Sequence, residues 1–355
     1  MTDKFNILFF GASYGSLLGA KVALAGHSAH LVCLPEEAEL INNEGAIIRL
    51  PVRGLDQPVE LNTKEMSGTV TAGGPEEANP SDYDLIVLAM QEPQYRVPVV
   101  KDLLGKVGES RRPCMSIMNM PPLSFIRRIP GVDAATISDA YTDPSVWDNV
   151  DPSRITLCSP DPQAFRPPEE KCNVLQVGLP TNFKSARFQE QGDTDILQQI
   201  ERDIQGIRYE TESGVVELPV KLRVHESVFV PLAKWCMLLA GNYRCVQAEE
   251  MRPIREAVHS DLAVSEGVYN WVADLCVKLG ADPNDLVPFE KYANAALSLQ
   301  KPSSAARALA AGAPYIERVD KLVQALGASQ GMNSADVDQT VELVDSWLAR
   351  NRKDS

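Results

Sequence analysis

The first half of the chain alternates short apolar runs with segments of helical periodicity, a pattern typical of a parallel sheet wrapped by helices. Residues 6–10 predict a buried strand, residues 16–25 a helix that Gly26 ends, and residues 30–34 a second strand. The spacing of these elements predicts a doubly wound sheet. Further strands are predicted at residues 84–90, 114–118, 136–138 and 174–177.

Helical periodicity replaces the strand pattern beyond about Gly214. One long helix is predicted to start near Pro253, because proline suits the first turn of a helix, and to end at Gly280. A last helix is predicted to start at Asn333 or Ser334. The second half of the chain therefore reads as all-helical.

The length of 355 residues suggests about two domains. We predict an α/β fold with a Rossmann-type doubly wound domain over residues 1–212 and an all-helical domain over residues 213–355. With 44% hydrophobic and 23% charged residues, the composition is that of an ordinary globular protein.

The charge balance narrows the classes of partner. The net charge of −14 argues against nucleic acid and anionic membranes, which need a positive protein surface. No apolar run approaches the roughly 18 residues of a membrane-spanning helix, and we expect a cytoplasmic protein. The seven cysteines are scattered without C-x-x-C pairing, so we interpret them as reduced packing residues and expect no metal site.

A glycine-containing turn follows the first predicted strand: Gly11-Ala12-Ser13-Tyr14-Gly15-Ser16. A strand-to-helix turn of this kind can bind the pyrophosphate of a dinucleotide, because glycines expose backbone N–H groups at a helix N-terminus. The usual G-x-G-x-x-G spelling is not met, since serines occupy positions 13 and 16. The alternative is that the glycines only let a helix pack closely on the sheet. The same turn also spells the G-x-S-x-G motif of hydrolases, in which the serine is the nucleophile. Such a hydrolase needs an acid and then a histidine at later loops of the sheet, but the histidines in the second half of the chain lie in the predicted helical region.

The end of the second strand bears on the choice of cofactor, because a residue there reads the adenosine ribose. The sequence offers Glu36, Glu37 and Glu39, and no basic residue before Arg49. These charges favour NAD over NADP unless Arg49 or Arg53 folds back. Alternatively, the glutamates only occupy the first turn of the next helix, where the helix dipole favours them.

Five ordered segments, spanning nearly the whole chain, carry a resemblance to a known family. They are residues 15–27, residues 84–94, residues 117–120, residues 221–224, and the group Ser303, Ser304, Gly312 and Glu317. In this order they resemble the opening helix, the fourth strand, the fifth strand, the start of the helical domain and the C-terminal Ser-Ser…Gly…Glu stretch of the ketopantoate reductases (2-dehydropantoate 2-reductases and their relatives). The resemblance implies a Rossmann-type domain followed by a helical domain of the 6-phosphogluconate dehydrogenase C-terminal type, in a homodimer.

The resemblance also implies roles for single residues. Asn119 would contact the cofactor near the nicotinamide and the substrate, and Lys221 would give a proton to the substrate carbonyl. Ser304 would bind the substrate carboxylate, and Glu317 would bind a substrate hydroxyl. An ammonium near the carbonyl oxygen both stabilises the developing alkoxide and supplies its proton.

The sequence departs from the family at several of these positions. Gln91 stands where the family has a lysine, so a positive charge beside the cofactor or the substrate is missing. His225 and Phe229 occupy positions at which the family's helix has asparagines, four and eight residues after its lysine. If Lys221 lies on a helix, His225 follows it by one turn and could share proton transfer, although a hydrogen-bonded core histidine is the alternative.

These observations predict an oxidoreductase that uses NADP or NAD to reduce a small 2-oxo acid resembling ketopantoate. A reductase acting on an imine, formed from an oxo acid and an amine, is a variant of this reading. A non-catalytic protein that kept the fold to bind NAD(P) or a partner is the alternative from another class, and Gln91 and the altered glycine turn favour it.

Overall fold

The structure is a computed structural model that describes residues 4–212 and 214–353, and it divides into two units. Unit 1 contains the residues up to 90 together with 94–118 and 146–226. Unit 2 contains residues 91–93, 119–145 and those from 227 onward.

Unit 1 is built on an eight-stranded sheet. Its strands, in chain order, are β1 (Asn6–Phe10), β2 (Ser28–Val32), β5 (Thr69–Gly73), β6 (Leu85–Leu88), β7 (Cys114–Ile117), β8 (Ile155–Ser159), β11 (Phe183–Ala186) and β14 (Leu222–His225). Across the sheet they are ordered β14-β11-β8-β7-β6-β1-β2-β5. The pairs from β5 to β8 are all parallel, and β11 runs antiparallel to β8.

The central strands are apolar and buried, as expected for parallel strands covered on both faces. Among the described residues, this unit has four α-helices: α1 (Tyr14–Leu24), α2 (Pro35–Glu44), α3 (Pro98–Ser110) and α5 (Gln191–Gly206). Helix α1 packs closely on the sheet, since a Cβ atom at Gly15 would lie 3.3 Å from the Cβ atom of Phe9. The close-packing interpretation therefore holds for Gly15, and it leaves the role of Gly11 open.

Two smaller sheets complete unit 1. One contains β3 (Ile47–Leu50), β4 (Val59–Asn62), β9 (Gln163–Phe165) and β10 (Val174–Leu179), in the order β4-β3-β10-β9. The other is a hairpin of β12 (Tyr209–Thr211) and β13 (Gly214–Val216).

Unit 2 is helical. Its helices are α4 (Leu123–Ile126), α6 (Lys234–Met237), α7 (Ile254–His259), α8 (Leu262–Lys278), α9 (Phe289–Ala296), α10 (Ser304–Ala310), α11 (Val319–Ser329) and α12 (Ala335–Lys353). Helix α6 continues through a π-helical turn, Leu238–Asn242, into a 3₁₀ turn, Tyr243–Cys245. Buried apolar side chains from these helices form the core of the unit.

The α/β fold class is confirmed, and three local predictions are corrected. Residues 136–138 lie in a 3₁₀ helix, Ala134–Ala140, and not in a strand. The helix predicted from Pro253 to Gly280 is interrupted before Asp261, whose carboxylate accepts the N–H of Val264 and caps α8. Strand pairing also continues beyond Gly214, because β14 joins β11.

The pairing of β14 with β11 moves the boundary between the two parts of the chain. The sequence places the boundary between the domains after residue 212, whereas unit 1 of the structure extends to Glu226. Pairing of β14 with β11 holds this segment in the main sheet. Residues 119–145 also belong to unit 2 although strands of unit 1 flank them in sequence.

No helix in the described part of the chain is long and apolar enough to cross a membrane. All seven cysteines are free thiols, and six of them are buried, which agrees with their interpretation as packing residues.

Candidate active site

The glycine turn lies where the strand order of the main sheet reverses. From β5 to β8 the order is β5-β2-β1-β6-β7-β8, so the chain changes direction across the sheet between β1 and β6. In open α/β sheets, ligands bind beyond the carboxyl ends of the strands at such a switch point. Gly11 directly follows β1 there.

The backbone at Gly11 requires glycine. Its φ of +91° lies in the left-handed region, and an added Cβ atom would lie 3.0 Å from the Cγ atom of Met90 and 3.2 Å from the carbonyl oxygen of Ala89. A side chain here would fill the space between the ends of β1 and β6. The turn thus keeps this approach open, as binding of a pyrophosphate against the backbone requires.

Two polar side chains of the turn donate their hydroxyl groups to carbonyl oxygens, and a third does not cap the start of α1. Ser13 precedes the helix but makes no capping hydrogen bond with its side chain. Ser16 donates to the carbonyl of Ala12 at 2.6 Å, and the Tyr14 hydroxyl donates to the carbonyl of Pro162 at 2.9 Å. Because the first N–H groups of a helix lack intrahelical acceptors, the start of α1 suits an anion such as a pyrophosphate.

The residues after β2 do not offer the free glutamates that the sequence suggested for reading the adenosine ribose. Leu34 is 74% exposed, and Glu36 and Glu37 lie in the first turn of α2, as the alternative interpretation proposed. Glu37 is buried and pairs with Arg166, which directly follows β9. Arg49 does not fold back, because it binds Glu60 and Glu170.

Arg166 is a basic residue that the sequence reasoning missed. It lies 129 residues from Glu37 in the chain, so no local pattern could reveal the pair. Only the second sheet of unit 1, in which β9 pairs with β10, brings it to α2.

In unit 2, two of the predicted site residues meet. The side-chain amide of Asn119 donates to the carboxylate of Glu317 across 3.3 Å, although 198 residues separate them. The backbone N–H groups of Glu92 and Met120 also donate to this carboxylate. The Tyr243 hydroxyl donates to the backbone carbonyl oxygen of Glu317 at 2.5 Å. It also accepts the backbone N–H of Val319, the first residue of α11.

Burial controls the protonation of this site. It raises the pKa of Glu317 to about 7, even though the hydrogen bonds from Asn119 and the backbone favour the charged form, and the nearby carboxylate of Glu92 also raises it. Burial raises the pKa of Glu92 too, while the N–H and hydroxyl of Thr142 donate to its carboxylate at 2.9 and 2.8 Å. Glu317 is thus a buried carboxylic acid that can exchange a proton near neutral pH.

Asn119 also presents an unused acceptor. Within the residues that the structure describes, its Oδ1 atom is buried and has no hydrogen-bond partner. An unsatisfied buried carbonyl is costly unless a ligand supplies a donor. The amide of a nicotinamide or a hydroxyl of a substrate would supply one, so Asn119 fits the contacts that the resemblance implies.

Lys221 lies in a different setting from the predicted one. It precedes strand β14 and does not open a helix, so His225 is not one helical turn away. Four residues of extended chain span about 13 Å, compared with about 6 Å in a helix. Since β11 is antiparallel to β8 and β14 is parallel to β11, Lys221 still lies at the edge of the sheet that carries the carboxyl ends of β1 and β6.

The ammonium of Lys221 is engaged. It forms an ion pair with Glu217, and its neighbour Val220 has a left-handed backbone, with φ of +62°. A second lysine, Lys21 of α1, is buried nearby and donates to the carbonyl of Pro219 at 3.1 Å. Burial and the charge of Lys221 lower the pKa of Lys21 to about 7.

The remaining predicted residues are placed as follows. Ser304 is exposed as the first residue of α10, whereas Ser303 is buried and its hydroxyl accepts the N–H of Ala306. Gln91 is exposed, and the next residue, Glu92, is buried. No group of three or more potential metal ligands occurs among the described residues.

A third lysine, in unit 2, was not singled out by the sequence reasoning. Lys234 is the first residue of α6 and is half-buried, in a helix whose neighbouring residues are mostly buried. The signal was the spacing: an asparagine, Asn242, follows it by eight residues, whereas Phe229 occupies that position after Lys221. Lys234, and not Lys221, therefore begins a helix of unit 2.

Comparison with known proteins gives no match to any family model or to any curated protein sequence. Solved structures do match. A 2-dehydropantoate 2-reductase from Methylococcus capsulatus aligns with a TM-score of 0.65 and 12% identity, over 98% of this chain and 97% of its own. A D-mandelate dehydrogenase, solved with NADH and anilino(oxo)acetate, gives 0.62 and 13%, over 98% and 99%. A dimeric ketopantoate reductase from Staphylococcus aureus gives 0.59 and 7%, over 98% and 99%. Over nearly its whole length, this chain therefore has the fold of the ketopantoate reductases, as the sequence resemblance predicted.

Proposed function

We propose that the chain is an NAD(P)-dependent reductase of a small 2-oxo acid. The observation that carries the proposal is the glycine turn at the switch point of the sheet, where a side chain at Gly11 would close the approach between the ends of β1 and β6. Two of the proteins that share the fold are named as ketopantoate reductases and a third was solved with NADH, which supports the same class of reaction.

The residues of unit 1 suit a dinucleotide. The turn from Gly11 to Ser16 would hold the pyrophosphate through backbone N–H groups at the start of α1. In unit 2, the Oδ1 atom of Asn119, which has no hydrogen-bond partner among the described residues, would accept a hydrogen bond from the nicotinamide amide or from the substrate. When bound, the nicotinamide supplies the hydride for the carbonyl carbon of the substrate.

Glu317 is the proton donor in this proposal. As the carbonyl carbon gains the hydride, the C=O π electrons move to oxygen, and the Glu317 carboxyl gives that oxygen its proton. The carboxylate left behind is stabilised by Asn119 and two backbone N–H groups, and it regains a proton from water. A carboxyl with a pKa of about 7 suits this exchange, because both of its protonation states are populated near neutral pH.

Two lysines are alternative proton donors to Glu317. Lys221 remains the donor that the resemblance implies, but its ammonium is paired with Glu217. Lys234, at the start of α6, is the second amine to consider. The exposed Ser304 is retained as a ligand for the substrate carboxylate, and we propose a homodimer, as described for one protein of the same fold.

Binding of the cofactor provides the first test. Titration of NADH and NADPH into the protein should change the nicotinamide fluorescence with at least one of them, and the Gly11→Ala variant should abolish this change. Turnover is then assayed with a panel of 2-oxo acids, with and without amines, which separates carbonyl from imine reduction. Cofactor binding without any turnover would favour the non-catalytic alternative. If neither NADH nor NADPH binds, the proposal is contradicted.

A further inference from the structure

We infer that Met120 is a positioning residue for the proposed reaction: its thioether holds the backbone of Arg318 and thereby orients the carboxyl of Glu317. The inference rests on the proposed function, because Glu317 is the proton donor there. Met120 directly follows Asn119, and its side chain is fully buried.

The segment that carries Glu317 lies between two helices. Helix α10 ends at Ala310 and α11 begins at Val319, so Glu317 belongs to neither. Its orientation must therefore come from contacts with other segments of unit 2. The hydroxyl of Tyr243 supplies two of them, since it donates to the backbone carbonyl oxygen of Glu317 and accepts the N–H of Val319.

Residues 119–120 provide the next contacts with this segment. The side-chain amide of Asn119 donates to the carboxylate of Glu317, and the backbone N–H of Arg318 donates to the Sδ atom of Met120 at 3.3 Å. Each pair is separated by 198 residues in the chain. Two adjacent residues of one segment therefore bind two adjacent residues of the other.

Met120 binds the segment through two of its own atoms. Its backbone N–H donates to the Glu317 carboxylate, and its sulfur accepts the N–H of Arg318. A thioether is a weak acceptor, but a buried N–H without any acceptor is costly. Leucine would fill a similar volume and leave the Arg318 N–H without its acceptor. The sulfur atom, more than the bulk of the side chain, therefore fixes the backbone of Arg318.

The side chain of Arg318 is anchored as well. Its Nε and Nη2 atoms both donate to Asp320 at 3.0 Å, and its Nη1 atom donates to Asp345 of α12 at 2.5 Å. The guanidinium is thus held by two aspartates and the backbone N–H by Met120. Because Arg318 is fixed at both places, Glu317, one residue before it, has little freedom to turn.

The environment of Glu317 makes a neutral substitution informative. Ionisable groups surround it from several elements: Glu92, Tyr243, Arg318, Asp320 and Asp345. Replacement of Met120 by leucine changes none of these groups. A change in the titration of Glu317 would therefore come from its hydrogen bonds, because the N–H of Met120 stabilises the carboxylate and lowers the pKa.

Met120→Leu tests the inference, with Met115→Leu as the matched control. Met115 is a buried methionine of β7, and its sulfur makes no hydrogen bond within the described part of the chain. Leucine is close to methionine in volume, so both variants should fold. In Met120→Leu, kcat should fall about tenfold and KM for the 2-oxo acid should change less than about threefold, because a displaced proton donor affects the transition state more than substrate binding.

The pH profile gives a readout that a loss of packing alone would not move. In the unmodified protein, kcat/KM should fall above about pH 7. In Met120→Leu, weakening of the N–H bond to the carboxylate should move this fall upward by about one pH unit, the size expected for one hydrogen bond to a charged group. Met115→Leu should keep the original profile. An unchanged kcat and profile in Met120→Leu, or an equal shift in both variants, would overturn the inference.

A second variant separates the acceptor from the shape of the side chain. Met120→Gln has an amide oxygen on a side chain of similar length, so it can accept the N–H of Arg318. Its fall in kcat/KM should stay nearer to pH 7 than that of Met120→Leu. Equal shifts in the two variants would show that the sulfur is not the group that acts, and the inference would fail.

Direct titration of Glu317 separates the inference from the function on which it rests. Protein labelled with carbon-13 at the glutamate side-chain carboxyl is titrated by NMR, and Glu317→Gln identifies the signal. The midpoint should be about 7 in the unmodified protein and in Met115→Leu, and about one unit higher in Met120→Leu.

The outcomes of this titration are distinct. If no 2-oxo acid is reduced, the proposed function fails, and the titration still decides whether Met120 positions the carboxyl. If turnover is found but the midpoint of Glu317 is the same in all three proteins, the function stands and Met120 is not a positioning residue.

Discussion

The side chains of Asn119 and Glu317 lie 3.3 Å apart in a buried part of unit 2, at the end of a separation of 198 residues. Among the residues that the structure describes, the Oδ1 atom of Asn119 has no hydrogen-bond partner, and burial raises the pKa of the Glu317 carboxyl to about 7. In the proposed function, this pair binds the substrate and gives it a proton. Both residues come from segments that the family resemblance singled out.

Glu317→Gln tests the proton donor. The donor is protonated below its pKa of about 7, so kcat/KM should be constant below that pH and fall about tenfold per unit above it. The variant should lose about 10²-fold in rate and should show no such fall. A fall near pH 7 that persists in the variant would assign the titration to another group.

Glu92→Gln provides a matched control for that experiment. The charge of Glu92 raises the pKa of Glu317, so its removal should move the fall in kcat/KM to lower pH and leave the maximal rate within about threefold. An unchanged profile would show that the two carboxyls do not interact.

Replacing the two candidate lysines by methionine separates the possible amine donors. If Glu317 donates the proton, Lys221→Met should keep kcat within about tenfold, since that ammonium is already paired with Glu217. Loss of 10²-fold or more in kcat, with cofactor binding intact, would make Lys221 the donor that the resemblance implies. The same loss in Lys234→Met alone would assign the role to the start of α6.

Gly11→Ala should abolish cofactor binding, because its Cβ atom meets Met90 and the backbone of Ala89 in a left-handed conformation. Gly54→Ala is the matched control: Gly54 has the same φ of +91° but nothing within 4 Å of an added Cβ atom. Both changes carry the strain of the left-handed region, roughly 1–2 kcal/mol, and only the first closes the turn. Equal loss of binding in both variants would contradict the proposed role of the turn.

Lys21 makes the stability of the protein depend on pH. Its pKa falls from 10.5 to about 7 on folding, so between these values the unfolded chain binds the proton that the folded chain lacks. The free energy of unfolding should therefore rise with pH in this window, by up to about 1.4 kcal/mol per unit. That contribution is fully present above about pH 10.5 and is lost as the pH falls toward 7.

Denaturant unfolding at several pH values checks this prediction. Lys21→Met should flatten the rise, because the methionine has no proton to release, whereas Lys106→Met on the exposed face of α3 should leave the slope unchanged. A slope that persists in Lys21→Met would place the responsible group elsewhere.

The pattern of the sequence was enough for the class of fold and for most of the central strands. Buried parallel strands are short apolar runs, and the residues 6–10 and 84–90 show them without any tertiary information. The turn at Gly11 was recognisable for the same reason, since its strand, glycine and helix are neighbours in the chain. The resemblance likewise indicated Asn119 and Glu317 one by one.

Tertiary structure alone decided the rest. Lys221 precedes a strand and not a helix because β11 offers residues 222–225 a partner edge, and four residues of local sequence cannot show that edge. The pairing of Arg166 with Glu37 depends on β9 of a separate sheet, 129 residues away. Likewise, the protonation of Glu317 near neutral pH results from burial by several distant segments. Local patterns record which conformation a segment prefers, whereas charge pairing and desolvation depend on which segments the fold brings together.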